Sequence, residues 1–185
     1  MTLCKMNRLP EGYSLRVASE SDFAAVRTFY DCLIDDLLQQ PYHPLWDKKG
    51  HPADSYLQAA LKAGELWVVE YEAGIVAALV VNHAANDGYL AVPWRVQTPR
   101  EKAAVIHAFG VSTRHQGKGL GAAVMQRVIE FCRAAGDKAI RLDLIDFNLP
   151  VQRAYLKMGF VKCAEIKLHY EEVGWQLFHM FEYAL

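Results

Sequence analysis

From Val111 to Val124 the chain reads Val-Ser-Thr-Arg-His-Gln-Gly-Lys-Gly-Leu-Gly-Ala-Ala-Val. The chemistry lies in the glycines at 117, 119 and 121, where a strand pattern stops and a helical pattern starts. The first N–H groups of a helix have no partner within it. Glycine bares such groups and permits positive φ. With the positive end of the helix dipole behind them, Gln116, Gly117, Lys118, Gly119, Leu120, Gly121 and Ala122 can form a main-chain cradle for a pyrophosphate, with Lys118 adding charge at the rim. Two other readings compete. The glycines can serve only a tight strand-to-helix turn, although a turn requires fewer. Gly117 to Ala122 also satisfies G-x-G-x-x-A, the dinucleotide fingerprint, but that motif belongs at the first strand of a repeated βαβ domain. A P-loop is excluded, because Lys118 is followed by Gly119 rather than Ser or Thr.

A second block follows: Asn148-Leu-Pro-Val-Gln-Arg-Ala-Tyr155-Leu-Lys-Met-Gly159-Phe160. In this order the two blocks resemble the GCN5-related N-acetyltransferase (GNAT) superfamily. The first matches its Q/R-x-x-G-x-G/A motif as Gln116-x-x-Gly119-x-Gly121, or in a second frame as Arg114-x-x-Gly117-x-Gly119. The second block is similar to the family's N-x-x-A…Y-x-K-x-G-F signature. The family usually has proline where Thr113 stands, a position that shapes the turn. The resemblance covers residues 100–165 well and the rest coarsely.

The resemblance implies an acetyl-CoA-dependent N-acetyltransferase. Two parallel strands splay apart, and the pantetheine arm lies between them, lined by Phe109, Gly110 and Val111. The N–H of Val111 polarises the acetyl carbonyl, residues 116–122 hold the pyrophosphate, and Asn148 contacts the pantetheine or adenosine side. Tyr155 is the candidate general acid for the departing thiolate. It also reads as core packing, on an apolar face with Val151, Ala154 and Met158. The acceptor's own amine is the nucleophile, attacking directly in a ternary complex. His107 is the first candidate base, because Val105, His107, Phe109 and Val111 alternate onto one strand face. A satisfied core or edge histidine is the competing reading. Glu101, Asp87 and His83 are secondary candidates, and Asp143 either lines the cleft or faces solvent. Tyr42, His43, Trp46, His51, Tyr89, Trp94 and Arg95, in two loops, either wall an acceptor cleft or cap the core. A non-catalytic acyl-CoA sensor of the same fold is the alternative function.

These residues need a scaffold. Strand patterns fall at 13–17, 66–71, 75–82, 102–111, 139–145, 160–166 and 176–184, and helical patterns at 20–39, 54–64, 120–135 and 150–158. Ser19 stands three residues before Asp22, a variant of the capping box. Residues 84–100 read as irregular. The β-α-α-β-β-β-α-β-α-β-β order predicts one α/β domain with a mixed central sheet, mostly antiparallel, flanked by helices. The strands at 102–111 and 139–145 form its parallel pair. Within a single domain over 1–185, residues 1–12 read as an N-terminal extension, 13–100 as the acceptor-side half and 101–185 as the acetyl-CoA half.

Bulk composition limits the function classes. The formal net charge of −1 disfavours a duplex nucleic-acid binder. No apolar run is long enough for a membrane span, and Met1–Pro10 lacks a signal-peptide core. A cytoplasmic location follows by default. Cys4, Cys32, Cys132 and Cys163 fit no zinc spacing, and Cys32 and Cys132 read as small buried hydrophobes. No metal is expected, and no cysteine has a histidine partner for an acyl-enzyme. The partner is a small-molecule or peptide amine, its identity open, and a homodimer through the C-terminal strands is plausible by family analogy.

Overall fold

The computed structural model describes residues 9–171 and 173–185. Cys4 and most of the 1–12 extension lie outside the described residues. The strands are β1 (Tyr13–Val17), β2 (Leu66–Tyr71), β3 (Gly74–Asn82), β4 (Ala103–Val111), β5 (Ala139–Ile145), β6 (Val161–Tyr170) and β7 (Gly174–Ala184). The helices are α1 (Phe23–Leu37), α2 (Asp54–Ala63), α3 (Leu120–Ala135) and α4 (Leu149–Lys157). One sheet carries all seven strands in the order β1-β2-β3-β4-β5-β7-β6. Among the described residues only β4 and β5 run parallel to each other. The other neighbours are antiparallel, so the sheet is not the doubly wound parallel sheet of a dinucleotide-binding domain.

The sheet is covered on both faces. On one, Leu120, Val124, Val128 and Cys132 of α3 and Tyr155 of α4 pack against Ala77, Leu79, Ala104, Ile106 and Leu142. On the other, Val26, Tyr30 and Leu33 of α1 and Leu57 and Leu61 of α2 pack against Val68, Ala78, Val80 and Ala108. This explains the unbroken apolar run of β3, which is buried from Val76 to Val81. Ser19 and Asp22 form the capping box, and Asp22 also takes a two-pronged bond from Arg16, at 2.8 and 2.9 Å. These charged donors hold the Asp22 carboxyl well below the usual carboxylate range.

Among the described residues the β5–β7–β6 half of the second face carries no α-helix, only a 3-10 turn at Asp87–Ala91. The 84–100 segment covers it, burying Tyr89, Val92 and Trp94 against Val105, Ile145, Phe178 and Met180. An irregular segment can lie there because its main-chain groups find partners. Buried Glu182 accepts from the N–H groups of Arg95 and Val96, both at 2.9 Å, and from Arg141 Nε at 3.1 Å. Arg141 also donates to the Val96 carbonyl and lies 4.5 Å from the Trp94 ring centroid.

Several sequence expectations shift. The β6 strand runs on to Tyr170, because its pairing with β7 continues down to the hairpin turn. Cys32 is exposed on α1 rather than buried. Although helical spacing puts Phe131 beside Val124, Val128 and Cys132, it is exposed and meets Trp67 edge-on, at 4.8 Å between centroids. Helix α4 buries Gln152 and Tyr155 instead of Val151 and Ala154.

Candidate active site

The site begins where β4 and β5 part. They pair only at Ala103–Ala139, Ala104–Ile140 and Val105–Arg141, although β4 continues to Val111 and β5 to Ile145. The missing pairs leave a wedge-shaped gap. Exposure marks it: His107, Phe109 and Val111 on β4, and Asp143 and Leu144 on β5, are partly exposed within otherwise buried strands.

A bulge sets what faces the gap. Val80 pairs with His107 and Ala78 with Gly110, so Ala108 and Phe109 together stand opposite Leu79. Ala108 has φ +49°, the left-handed region that β-carbons disfavour. The Tyr30 hydroxyl donates to its carbonyl at 2.8 Å. The extra residue reverses the side-chain phase. Phe109 and Val111 therefore pack on the α3–α4 face, while His107 lies on the α1–α2 face. The alternation that put all three on one face fails at the bulge. Nothing in the residue types of 105–111 signals an inserted residue.

Main-chain directions follow from the ladder. Ser112 N donates to Val76 O at 2.8 Å, towards β3. Alternation then turns the N–H and C=O of Val111 towards the gap. Gly110 pairs with Ala78 and turns its main chain to β3, away from the gap. Its missing side chain serves packing instead, since a β-carbon there would collide with Leu33 of α1. The Val111 carbonyl accepts from Gln116 Nε2 at 2.8 Å, so Gln116 folds back over the end of β4.

Next comes the glycine turn. Gly117 and Gly119 have φ +72° and +79°, and nothing lies within 4 Å of where their β-carbons would stand. Gly119 caps α3, and the first intrahelical bond runs from Ala123 N to Gly119 O at 3.0 Å. The N–H groups of Leu120, Gly121 and Ala122 precede that bond. Gly121 sits beside the gap, its β-carbon position 3.9 Å from both Phe109 Cζ and Val111 Cγ2. The bare, open turn fits a diphosphate. The Thr113 hydroxyl bonds the Asp36 carboxylate, tying the end of α1 to this turn. Lys118 Nζ donates to the Arg114 carbonyl at the rim.

Tyr155 is 4% exposed, lies on the cradle side, and packs edge-on to Phe160 at 5.1 Å. Burial pushes its phenol well above the ordinary value. Its hydroxyl makes no hydrogen bond among the described residues. Gln152, one turn earlier, holds α4 in place. Its Nε2 donates to the carbonyls of Ile145 and Asp146, and its Oε1 accepts from His179 Nδ1 at 2.8 Å. Sequence reasoning missed this anchor, which a polar residue on a helix's buried side could have signalled. Asn148 caps α4, is 5% exposed, and makes no side-chain cap bond.

On the opposite face His107 Nε2 sits 3.1 Å from Asn82 Oδ1 and 3.0 Å from the Ala84 carbonyl. Both partners are acceptors, so Nε2 carries the proton and Nδ1 holds a lone pair. Burial lowers the imidazole pKa. Tyr56 meets its ring at 6.3 Å between centroids. The 41–53 loop crosses above: Trp46 approaches Gly110 and Tyr30, and His43 meets Phe147 beyond β5. Tyr89 donates its hydroxyl to Asp143, whereas Trp94 is buried under Arg141. Arg95 is held by its main chain on Glu182. His83 pairs with Asp137 at the closed end of the strand pair, 2.9 Å apart, and Asp87 and Glu101 are exposed outside the gap. Burial pushes the Cys132 thiol up to about 12 and also raises Cys163. Among the described residues no cluster of His, Cys, Asp or Glu could hold a metal ion, and no helix is long and apolar enough to cross a membrane.

A family model, described as Acetyltransferase (GNAT) family, matches residues 33–160. Streptothricin acetyltransferase of Streptomyces lavendulae is 32% identical over 76 residues, 41% of this chain and 39% of that one. Human N-acetyltransferase 8B is 27% identical over 103 residues, 56% of this chain and 41% of that one. The chain thus spans about two fifths of the length of these curated relatives. Among solved structures, a GNAT-family acetyltransferase from Streptococcus agalactiae superposes with a TM-score of 0.77 at 16% identity, covering 95% of this chain and 96% of that one. The Salmonella typhimurium protein yncA, solved with its cofactor acetyl-CoA, superposes with a TM-score of 0.67 at 19% identity, covering 95% of each chain.

Proposed function

The chain belongs to the acetyltransferase (GNAT) family, and on that premise we propose that it transfers an acetyl group from acetyl-CoA to a primary amine by direct attack in a ternary complex. The observation that carries the reading is the three-pair contact of β4 and β5, which opens a gap ending at a bare glycine turn. When bound, acetyl-CoA supplies an activated thioester carbonyl. Gln116 to Ala122 hold its diphosphate through main-chain donors. Asn148 offers its amide to the arm of the cofactor, and Phe109 and Val111 flank it. The Val111 N–H, turned into the gap, donates to the carbonyl oxygen where negative charge develops. Tyr155 lies on this same face. Its burial keeps the phenol protonated, ready to give its proton to the departing sulfur.

The acceptor meets the thioester from the other face. His107 stands there with Nδ1 unprotonated, and burial keeps it neutral near pH 7, so it takes the proton the amine must lose. The bulge at Ala108 thus separates acid and base onto opposite faces of one sheet, with the reacting atoms between them. Residues 13–100 supply most of the acceptor side and 101–185 the cofactor side.

The test has two parts. Titration calorimetry with CoA is expected to give saturable binding, and a panel of amines with acetyl-CoA is expected to release thiol with at least one of them. CoA binding without thiol release from any amine leaves a non-catalytic sensor. Absence of CoA binding removes the reading altogether.

A further inference from the structure

Asp143 lies on β5 just beyond the last β4–β5 pair, on the face that carries His107. It is partly buried, and two phenols fix it: Tyr89 donates to Oδ2 at 2.8 Å and Tyr170 to the same oxygen at 2.7 Å. Oδ1 accepts from no described residue. The nearest cation on the strand, Arg141, is spent on Glu182, the Val96 carbonyl and the Trp94 ring. Among the described residues no basic side chain forms an ion pair with Asp143. Its field reaches His107, where it favours the protonated ring. A fixed, partly desolvated carboxylate without a counter-ion is costly unless something completes it. The complement to one open carboxylate oxygen beside a neutral base is a cation with N–H donors.

We propose that Asp143 is the acceptor-binding carboxylate: Oδ1 receives the acceptor as an alkylammonium ion and sets its nitrogen beside His107. The inference rests on the proposed transferase reading and narrows it from amines in general to aliphatic amines that arrive charged. Tyr89 and Tyr170 are positioning residues, holding the carboxylate in one rotamer so that little side-chain entropy is lost on binding.

The test compares two isosteric primary amines, n-butylamine and O-propylhydroxylamine. The first is an ammonium ion near neutral pH and the second is uncharged. Asp143→Asn still accepts both phenols, so the fold and CoA affinity are expected to stay unchanged. For n-butylamine, KM is expected to rise about 10- to 100-fold, the range for losing a charge-assisted hydrogen bond. For O-propylhydroxylamine, KM is expected to hold within about twofold, the usual context-dependent scatter. Equal effects on the two amines, or none on either, overturn the assignment while leaving acetyl transfer intact. If the wild-type protein binds CoA but acetylates neither amine, calorimetric titration of n-butylamine into the CoA complex takes over. Weaker binding in Asp143→Asn then supports the subsite without the chemistry, and equal binding refutes it.

Discussion

The Tyr30 hydroxyl, on α1, donates to the carbonyl of Ala108 on β4 at 2.8 Å. Tyr30 is fully buried, and burial pushes its phenol far above the ordinary value, so the hydroxyl keeps its proton and donates it to this carbonyl. The bond stabilises a residue held at positive φ and thereby fixes the phase break between His107 and Phe109. Tyr30→Phe leaves that carbonyl without its partner. The expected loss is about 1–3 kcal/mol of stability, or several degrees in Tm for a chain of this size. Turnover is expected to fall further than the stability loss alone predicts, because both faces of the proposed site depend on the bulge. A variant with normal Tm and normal turnover would show that the bulge holds itself.

The glycine turn can be tested with a matched pair. Gly119→Ala imposes left-handed strain of about 1–2 kcal/mol, but its methyl enters open space. Gly119→Glu carries the same strain and adds a negative charge where the diphosphate would sit. CoA affinity is expected to drop modestly in the first and below detection in the second. Similar affinities in the two variants, measured by calorimetry, would place the diphosphate elsewhere.

The sequence disclosed the elements better than their junctions. The strand at 13–17 and the helix at 120–135 coincide with the observed spans, because hydrophobic period, capping residues and glycine stops agree there. The one parallel pair follows from the βαβ unit around α3, whereas the β5-β7-β6 order at the sheet's end comes from pairings that the chain order alone does not give. The glycine turn was legible because it consists of main chain, and glycine spacing reports main-chain geometry directly. The bulge at Ala108 was not. It is fixed by a long-range bond from Tyr30 and by α1 pressing on Gly110, and neither contact leaves a mark in the local pattern. For Asp143 the sequence left two readings, cleft lining or solvent, and gave no sign of the phenols that hold it. Its partners Tyr89 and Tyr170 come from a loop and a hairpin that meet only in the folded chain.

Tyr155→Phe removes one oxygen from a buried ring that otherwise stays packed on Phe160. Its hydroxyl makes no hydrogen bond among the described residues, so folding stability is expected to change little. Turnover is expected to fall by about 10²-fold or more, the usual contribution of a positioned general acid, with acetyl-CoA affinity unchanged. Steady-state kinetics with a thiol-detecting assay decides it. Unaltered kcat would return Tyr155 to a packing role.

The pH profile tests His107. Its folded pKa lies below the ordinary imidazole value of 6.5 because burial disfavours the charged ring. Activity that needs the neutral ring is therefore expected to hold at pH 7 and to decline only below 6.5. Stability has the same sign: as pH falls through 6.5 the unfolded chain takes up a proton that the native ring resists, so folding weakens. His179 is also lowered and adds to the stability limb. Only His107→Gln should remove the acid limb of kcat/KM. An acid limb that survives that substitution would assign the proton transfer to another group or to water.

The Arg141–Glu182 pair, 10% and 2% exposed at the side chains, joins the closed end of the strand wedge to the 84–100 segment. Removing one charge leaves the other buried and uncompensated. Glu182→Gln keeps an acceptor for the N–H groups of Arg95 and Val96 but strands Arg141, and is expected to cost about 3–5 kcal/mol. Adding Arg141→Met removes the stranded charge. The double variant is expected to recover most of that loss, because an apolar replacement of a buried pair is often neutral. Urea denaturation of the two single variants and the double variant measures the coupling. If the effects simply add, the pair is not the joint, and the segment over Tyr89 and Trp94 is held by its apolar contacts alone.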